Sequence, residues 1–230
     1  MKNLPDLEEN TAEEILRWAN ENFGSKVAIA SSFGAEDVVL IDMMLKINPK
    51  CRIFTLDTGR LPQETYNVIE SIKEKYKVNI DFYFPDRKKV EEMVNNYGPN
   101  LFYNSVELRR LCCNVRKVEP LNRALKGLSA WICGLRREQS ITRQEIKKVE
   151  IDNVHHQIIK INPLADWKEK QVWDYIRENN VPYNVLHDRG YPSIGCLPCT
   201  RAIKPGQDIR WGRWWWESPE HKECGLHTSR

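Results

Sequence analysis

The sequence predicts an α/β protein: a mostly parallel sheet covered by helices on both faces, followed by an irregular C-terminal extension. Three observations carry this. Short apolar runs alternate with longer amphipathic stretches from Val27 to Asn179, the order expected when parallel strands are joined by helical crossovers. Hydrophobic residues make up 41% and charged residues 29%, ordinary for a chain with one main core. From Asn180 onward Gly, Pro, Arg, Trp and Cys replace periodic sequence, so that part must be held by something other than regular structure.

The elements follow in order. Residues 11–22 (TAEEILRWANEN) place Ile15, Leu16 and Ala19 on one helical face, and Thr11 with Glu14 fits a capping box. VAIAS (27–31) reads as a strand, SFGAE as a loop and DVVLIDMMLKI as a helix. CRIFTLD (51–57), TGRLPQ and ETYNVIESIKEKY repeat that pattern, and NIDFYFP (79–85) is a third strand. AWICGL (130–135) and HQIIKINPL (156–164) add two more strands. Helices are expected at about residues 87–96, 105–127 and 168–179. Right-handed crossovers would bring the loops SSFGAE, TGR and RREQSITR to one sheet edge, where open α/β sheets bind ligands. Residues 1–200 are expected to form the α/β domain and 201–230 a tail.

Composition narrows the function. The 35 basic and 32 acidic residues leave a net charge of +3, too balanced for general nucleic-acid binding. No apolar stretch approaches the ~20 residues needed to span a bilayer, and MKNLPDLEEN is not signal-like, so no membrane association and a cytoplasmic location are expected. Seven cysteines in such a chain point to metal binding or catalysis rather than a disulfide framework.

Cys112 and Cys113 are adjacent, a spacing at which an ordinary disulfide is strained. Cys196 and Cys199 form a CxxC shaped by Gly195 and Pro198. Together they make four thiols. A single zinc ion needs all four sulfurs to converge, whereas neighbours on a helix diverge by about 100°. An iron-sulfur cluster, with a separate iron for each thiolate, accommodates that divergence better. Zinc remains open, as do four unconnected buried thiols, the plain reading of Cys51 and Cys133 in their strands. Arg116 and Lys117 each follow a cysteine by four residues, so either could share its face, or both could belong to a solvated basic face.

Cys224, in EHKECGLH, is near the end of the chain. It reads either as a dispensable thiol or as a nucleophile with His227 or a bound anion's arginine partners favouring the thiolate. Arg210 and Arg213 are spaced to converge on one anion, while Arg136, Arg137 and Arg143 surround the loop after the fourth strand. Guanidinium forks of this kind suit phosphate or sulfate. Ser31, Ser32 and Gly34 supply hydroxyls and amides at a helix N-terminus, suited to phosphate or ribose. Trp214, Trp215 and Trp216 are expected to pack the extension down.

SSFGAEDVVL, FTLDTGRLPQETY, CCNVRKVEPL, GLRREQSITR, GYPSIGCLPCT, RWGRWWWE and ECGLH together resemble the phosphoadenylyl-sulfate reductase family, in its iron-sulfur subgroup of assimilatory adenylyl-sulfate reductases. The likeness runs from about Val27 to His227. It implies an adenine nucleotide alpha hydrolase-like fold and a 4Fe-4S cluster on Cys112, Cys113, Cys196 and Cys199. It further implies that Cys224 attacks the sulfur of adenosine 5′-phosphosulfate, releasing AMP, and that thioredoxin or glutaredoxin then frees sulfite from the S-sulfocysteine. By motif, Lys117, Arg143, Arg210 and Arg213 would hold the phosphosulfate. Ser31, Ser32, Gly34 and the loop Asp57, Thr58, Gly59 and Arg60 would frame the adenosine, with Arg136 and Arg137 beside the site. The same resemblance leaves the 3′-phosphorylated nucleotide as an alternative substrate and includes a homo-oligomer among the expectations. Outside it stand an ATP-cleaving sulfur-transfer enzyme of the same fold, whose loop would read SGGxDS, and a zinc-stabilised RNA-binding module.

Overall fold

The computed structural model describes residues 4–155, 157–218 and 226. Its sheet has six strands: β1 Val27–Ala30, β2 Arg52–Leu56, β3 Asp81–Tyr83, β4 Ala130–Ile132, β5 Val149–Asp152 and β6 Ile158–Ile161. They lie in the order β3-β2-β1-β4-β6-β5. β1 is parallel to β2 and β4, and β4 to β6, while β5 runs antiparallel to β6. The sheet is therefore mostly parallel, as expected. The topological direction reverses between β1 and β4, the position at which such sheets open a crevice beyond their strand ends.

Among the described residues seven α-helices accompany it: α1 Ala12–Phe23, α2 Ala35–Ile47, α3 Gln63–Tyr76, α4 Arg87–Tyr97, α5 Val106–Cys113, α6 Glu119–Leu125 and α7 Glu169–Glu178. The capping box of α1 forms, with Thr11 Oγ1 accepting from Glu14 N and the Glu14 carboxylate accepting from Thr11 N. Two expectations need revision. β5 was not foreseen, because its sequence, VEID, mixes charge into a four-residue strand; an antiparallel edge strand needs only one buried face. The single helix expected over 105–127 is two α-helices joined by a π-helical segment, Asn114–Val118.

Two compact units divide the chain. The first comprises Met1–Thr55, Gln63–Asp81 and Gly127–Val185. Its centre is α2, buried nearly all round, with Val38, Val39, Leu40 and Ile41 fully inside. Burial on every side explains why α2 reads as a continuous apolar run rather than an amphipathic stripe. The second unit comprises Leu56–Pro62, Phe82–Lys126 and Leu186–Arg230. Residues 201–218 thus group with α4, α5 and α6. Its core is small: Met93, Leu101, Phe102, Val115 and Trp214 pack together with Cys112, Cys113, Cys196 and Cys199. Among the described residues no helix is long and apolar enough to cross a membrane.

Candidate active site

In the first unit, the loop from β1 into α2 is held by one hydrogen bond to β2 and one within the loop. Ser31 N donates to Phe54 O (2.9 Å), and the Ser31 hydroxyl accepts from Phe33 N (3.0 Å). Phe33 is buried in a left-handed backbone conformation (φ 58°), sparse for a bulky side chain and tolerated where the surroundings over-determine it. Gly34 is the N-cap of α2 and offers no side-chain cap. The first-turn amides of α2 therefore face a loop of hydroxyls, an arrangement that suits an anion.

Asp37 organises this loop and was not foreseen from the sequence. Its Oδ2 accepts from both Ser32 N (2.6 Å) and Ser32 Oγ (2.8 Å). A Cβ at Gly134, just after β4, would lie 2.4 Å from Asp37 Oδ1 and 3.1 Å from Asp37 N, so the two loops meet there without room for a side chain. Burial pushes the Asp37 carboxyl up to about 6, against the Ser32 hydrogen bonds that favour its ionised form, with Glu36 adding repulsion. Raised above its unfolded value of 3.8, Asp37 costs nothing below about pH 4, where it is protonated in both states. The cost accumulates as pH rises toward 6 and is constant above it, amounting to on the order of 3 kcal/mol. Asp37→Asn is accordingly expected to gain stability relative to the native chain across that window. Urea midpoints at a series of pH values check this; a difference that stays flat from pH 4 to 7 would contradict it.

The arginines after β4 have partners within the chain. Arg136 is buried, with Nε on Glu36 (2.8 Å) and Nη1 on Glu138 (3.0 Å). Arg137 reaches Ile146 O (2.9 Å) and Glu8 (2.5 Å), and Arg143 donates to Gln139.

In the second unit the four sequence-predicted cysteines come together. Cys112 and Cys113 end α5, Cys196 and Cys199 flank a short 3-10 turn, and all four line one cavity of about 370 Å³, including the part open to solvent. All are buried free thiols. Five cations share the lining: Arg60, Arg109, Arg116, Lys117 and Arg213. Burial raises Cys112 above the usual thiol range and pushes Cys199 up to about 12, while Lys117 pulls both back. Thiolates there require compensating positive charge.

The local chain explains the arrangement. Asp57 accepts from Gly59 N (2.8 Å), a turn in which Gly59 takes φ 69°. The turn presents Thr58, whose hydroxyl accepts from Arg60 N (3.2 Å) and lies 3.3 Å from Cys196 Sγ. Arg60 O in turn accepts from Leu197 N (2.8 Å), tying this turn to the CxxC. Arg116 is buried and donates to Thr58 O (2.7 Å). Arg213, buried over the Trp214 ring (4.7 Å), donates to Cys199 O (3.3 Å). A Cβ at Gly195 would press on the Arg213 guanidinium, so a side chain there would displace that arginine from beside the CxxC. Arg210 also stands over Trp214, at 5.8 Å.

These residues fit an iron-sulfur cluster. The four thiols share the lining of one cavity, as the separate ligands of a multi-iron cluster would. Two buried donors, Arg116 Nε and Trp214 Nε1, have no hydrogen-bond partner among the described residues, which suits sulfur acceptors in the cavity. Cys224 and His227 lie outside the described residues. Arg109 and Trp214 line the site in addition to the residues expected there, and Arg116 lines it as one reading of its spacing from Cys112 had it. Helical spacing from Cys113 was the available signal for Arg109.

The fold and this thiol-and-cation site define a mostly parallel α/β protein with four cysteines gathered at one cavity. Candida glabrata FMN adenylyltransferase shares the fold alone, with a TM-score of 0.58 at 16% identity over 93% of this chain and 72% of that one. The phosphoadenosine phosphosulfate reductase domain model matches residues 26–202, and the chain belongs to that family. It is 55% identical to adenosine 5′-phosphosulfate reductase of Allochromatium vinosum over 201 residues, 87% of this chain and 78% of that protein. The crystal structure of phosphoadenylyl-sulfate reductase from Candida auris, a phosphate complex, matches with a TM-score of 0.71 and 31% identity, covering 86% of this chain and 94% of that one.

Proposed function

We propose that this chain reduces adenosine 5′-phosphosulfate to sulfite and AMP in sulfate assimilation. The observation that carries the reading is the gathering of four buried cysteines and five cations around one cavity, in a chain of this family. The relative at 55% identity is named for the unphosphorylated nucleotide, and the structure at 31% for the 3′-phosphorylated one. The greater identity favours adenosine 5′-phosphosulfate.

The Cys224 thiolate attacks the sulfur of the phosphosulfate. A S–S bond forms, the S–O bond to the phosphate breaks, and AMP leaves with the electron pair. Lys117, Arg210 and Arg213 stabilise the charge that gathers on the leaving phosphate, with Arg143 on the substrate's anionic end. Ser31, Ser32 and Gly34 frame the nucleotide through the first turn of α2. The thiolate of thioredoxin or glutaredoxin then attacks Cys224 Sγ, and sulfite leaves. The partner's second thiol resolves the mixed disulfide, so two electrons from the dithiol take the sulfur from the sulfate to the sulfite level. Cys112, Cys113, Cys196 and Cys199 would hold a 4Fe-4S cluster, which would supply negative charge beside Arg60, Arg109, Arg116, Lys117 and Arg213. Thr58 and Arg116 hold the turn beside Cys196.

The test is anaerobic purification, iron and visible-spectrum analysis, and a sulfite assay with thioredoxin and each nucleotide. A brown, iron-bearing protein that releases sulfite faster from the unphosphorylated nucleotide is expected. A colourless zinc protein, or pyrophosphate release from ATP without sulfite, would overturn the reading. Faster turnover of the 3′-phosphorylated nucleotide would overturn the substrate assignment alone.

A further inference from the structure

The second unit contains an ion pair that the reaction above does not use. Arg109, on α5, holds Glu217 through two parallel hydrogen bonds, Nε to Oε1 at 2.9 Å and Nη2 to Oε2 at 2.7 Å. Both side chains are sealed from water, 1% and 2% exposed. Such a pair is weak evidence for stability, because desolvation offsets much of its attraction; its best-attested use is to fix register. What it fixes here follows from its two ends. On α5, whose first turn Ser105 caps, Cys113 lies four residues after Arg109 and so on the same helical face, and the guanidinium donates to the Cys113 sulfur. At the other end, Glu217 N donates to Trp214 O (2.9 Å) and Trp214 N to Cys199 O (3.4 Å), which ties the acid to the CxxC. The Trp214 ring centroid lies 4.8 Å from the Arg109 guanidinium. Trp214 itself is buried with φ 41°, a conformation that persists only where surrounding contacts over-determine it. A continuous set of contacts thus runs from Cys113 through Arg109, Glu217 and Trp214 to Cys199, joining two cysteine pairs that are far apart in sequence.

We propose that Arg109 and Glu217 are a positioning pair for the cluster: they hold the tandem cysteines in register with the CxxC, and the guanidinium serves the iron-bound Cys113 sulfur as a fixed hydrogen-bond donor. This rests on the reading of Cys112, Cys113, Cys196 and Cys199 as cluster ligands. The chemistry of the pair explains why an acid stands there. Two parallel bonds to the carboxylate set the plane of the guanidinium, so its remaining donors keep a fixed direction. Glu217 also cancels the charge of Arg109 close by. What reaches Cys113 is therefore a directed N–H from a neutral pair, and not one more unit of positive charge. Hydrogen bonds to ligand sulfur are among the means by which a protein tunes such a cluster.

The test uses the enzyme purified without oxygen in its iron-loaded form, with Arg109→Gln, Glu217→Gln and the double variant that removes the pair as a neutral unit. Three quantities are read on each: iron per chain, the rate of iron loss to a chelator, and the iron–thiolate stretching bands in the resonance Raman spectrum. Arg109→Gln leaves Glu217 buried beside an anionic cluster, and it is expected to lose iron about tenfold faster than the native enzyme or more. The double variant strands no charge, so its iron loss should rise only severalfold. Its iron–thiolate band should still move to higher frequency, because a donor on sulfur draws off electron density that the sulfur shares with iron. Glu217→Gln keeps the donor but loosens its direction, and should fall between the native enzyme and the double variant in both readings. A role confined to folding would not move the band. Faster iron loss in the double variant with native bands would therefore overturn the proposal, as would native bands together with native iron loss. If Arg109→Gln fails to fold, the double variant and Glu217→Gln still supply both readings. A native enzyme that holds no iron would overturn the cluster reading and this proposal with it, whereas an iron-bearing native enzyme with indifferent variants overturns the proposal alone.

Discussion

Cys224→Ser is expected to release no detectable sulfite from either nucleotide, a loss on the order of a thousandfold or more, while keeping native iron content and colour. The argument is chemical. Attack at the sulfonate sulfur needs a polarisable anion, and a thiol gives up its proton near pH 8 to 9, whereas a serine hydroxyl stays protonated without a paired base. A thousandfold loss corresponds to about 4 kcal/mol of transition-state stabilisation, reasonable for removing the bond-forming atom itself. Among the other cysteines, Cys51 is pushed up to about 12 by burial and Cys133 is raised further by its complete enclosure, so neither substitutes for it at neutral pH. Iron is expected to persist because Cys112, Cys113, Cys196 and Cys199 line a cavity that the substitution leaves intact. Nucleotide binding, followed by equilibrium titration, should also persist. Turnover retained within tenfold would mean that another group performs the attack.

Much of the fold was legible because its signals are local. The apolar runs at Val27, Cys51 and Ala130 need no knowledge of the rest of the chain, and Thr11 with Glu14 states its own cap. β5 was not legible, since VEID becomes a strand only by pairing with β6, a tertiary event. The cysteine site was legible in its ligands and less so in its surroundings. The four-residue spacing from Cys112 to Arg116 assumes a regular α-helix, but the π-helical winding of Asn114–Val118 intervenes. Arg116 still acts on Cys112, as that spacing expects, and also donates to Thr58 O, a contact no spacing rule contains. Arg109 and Glu217 are 108 residues apart, and nothing in either neighbourhood announces a buried pair. The arginine cluster after β4 illustrates the converse. Arg136 and Arg137 look like anion-binding groups in GLRREQSITR, yet Glu36, Glu138 and Glu8 lie against them in the fold.

Lys117→Ala is expected to lower kcat/KM by about a hundredfold, or roughly 2.7 kcal/mol, with iron retained. Lys117 occupies the π-helical segment directly after the tandem cysteines and lines their cavity half-buried. Its charge acts on both pairs of thiols, lowering Cys112 and Cys199 against the burial that raises them. A cation placed there can face the anionic sulfur shell and the leaving phosphate at once, which a surface lysine cannot. The effect should appear mainly in kcat, because charge on the phosphate grows as the S–O bond breaks and a ground-state anion binds through the arginines as well. The visible band of the cluster should shift too, since the loss of a nearby positive charge changes its electronic environment. Lys117→Arg, which keeps the charge but presents it as a broad planar fork, is expected to fall between the native and alanine forms. Lys88, exposed on α4, supplies the comparison. If Lys117→Ala slows turnover no more than Lys88→Ala and leaves the spectrum unmoved, the cluster and the substrate are not coupled through this residue, and the burden falls on Arg213, whose guanidinium already sits against Cys199 O.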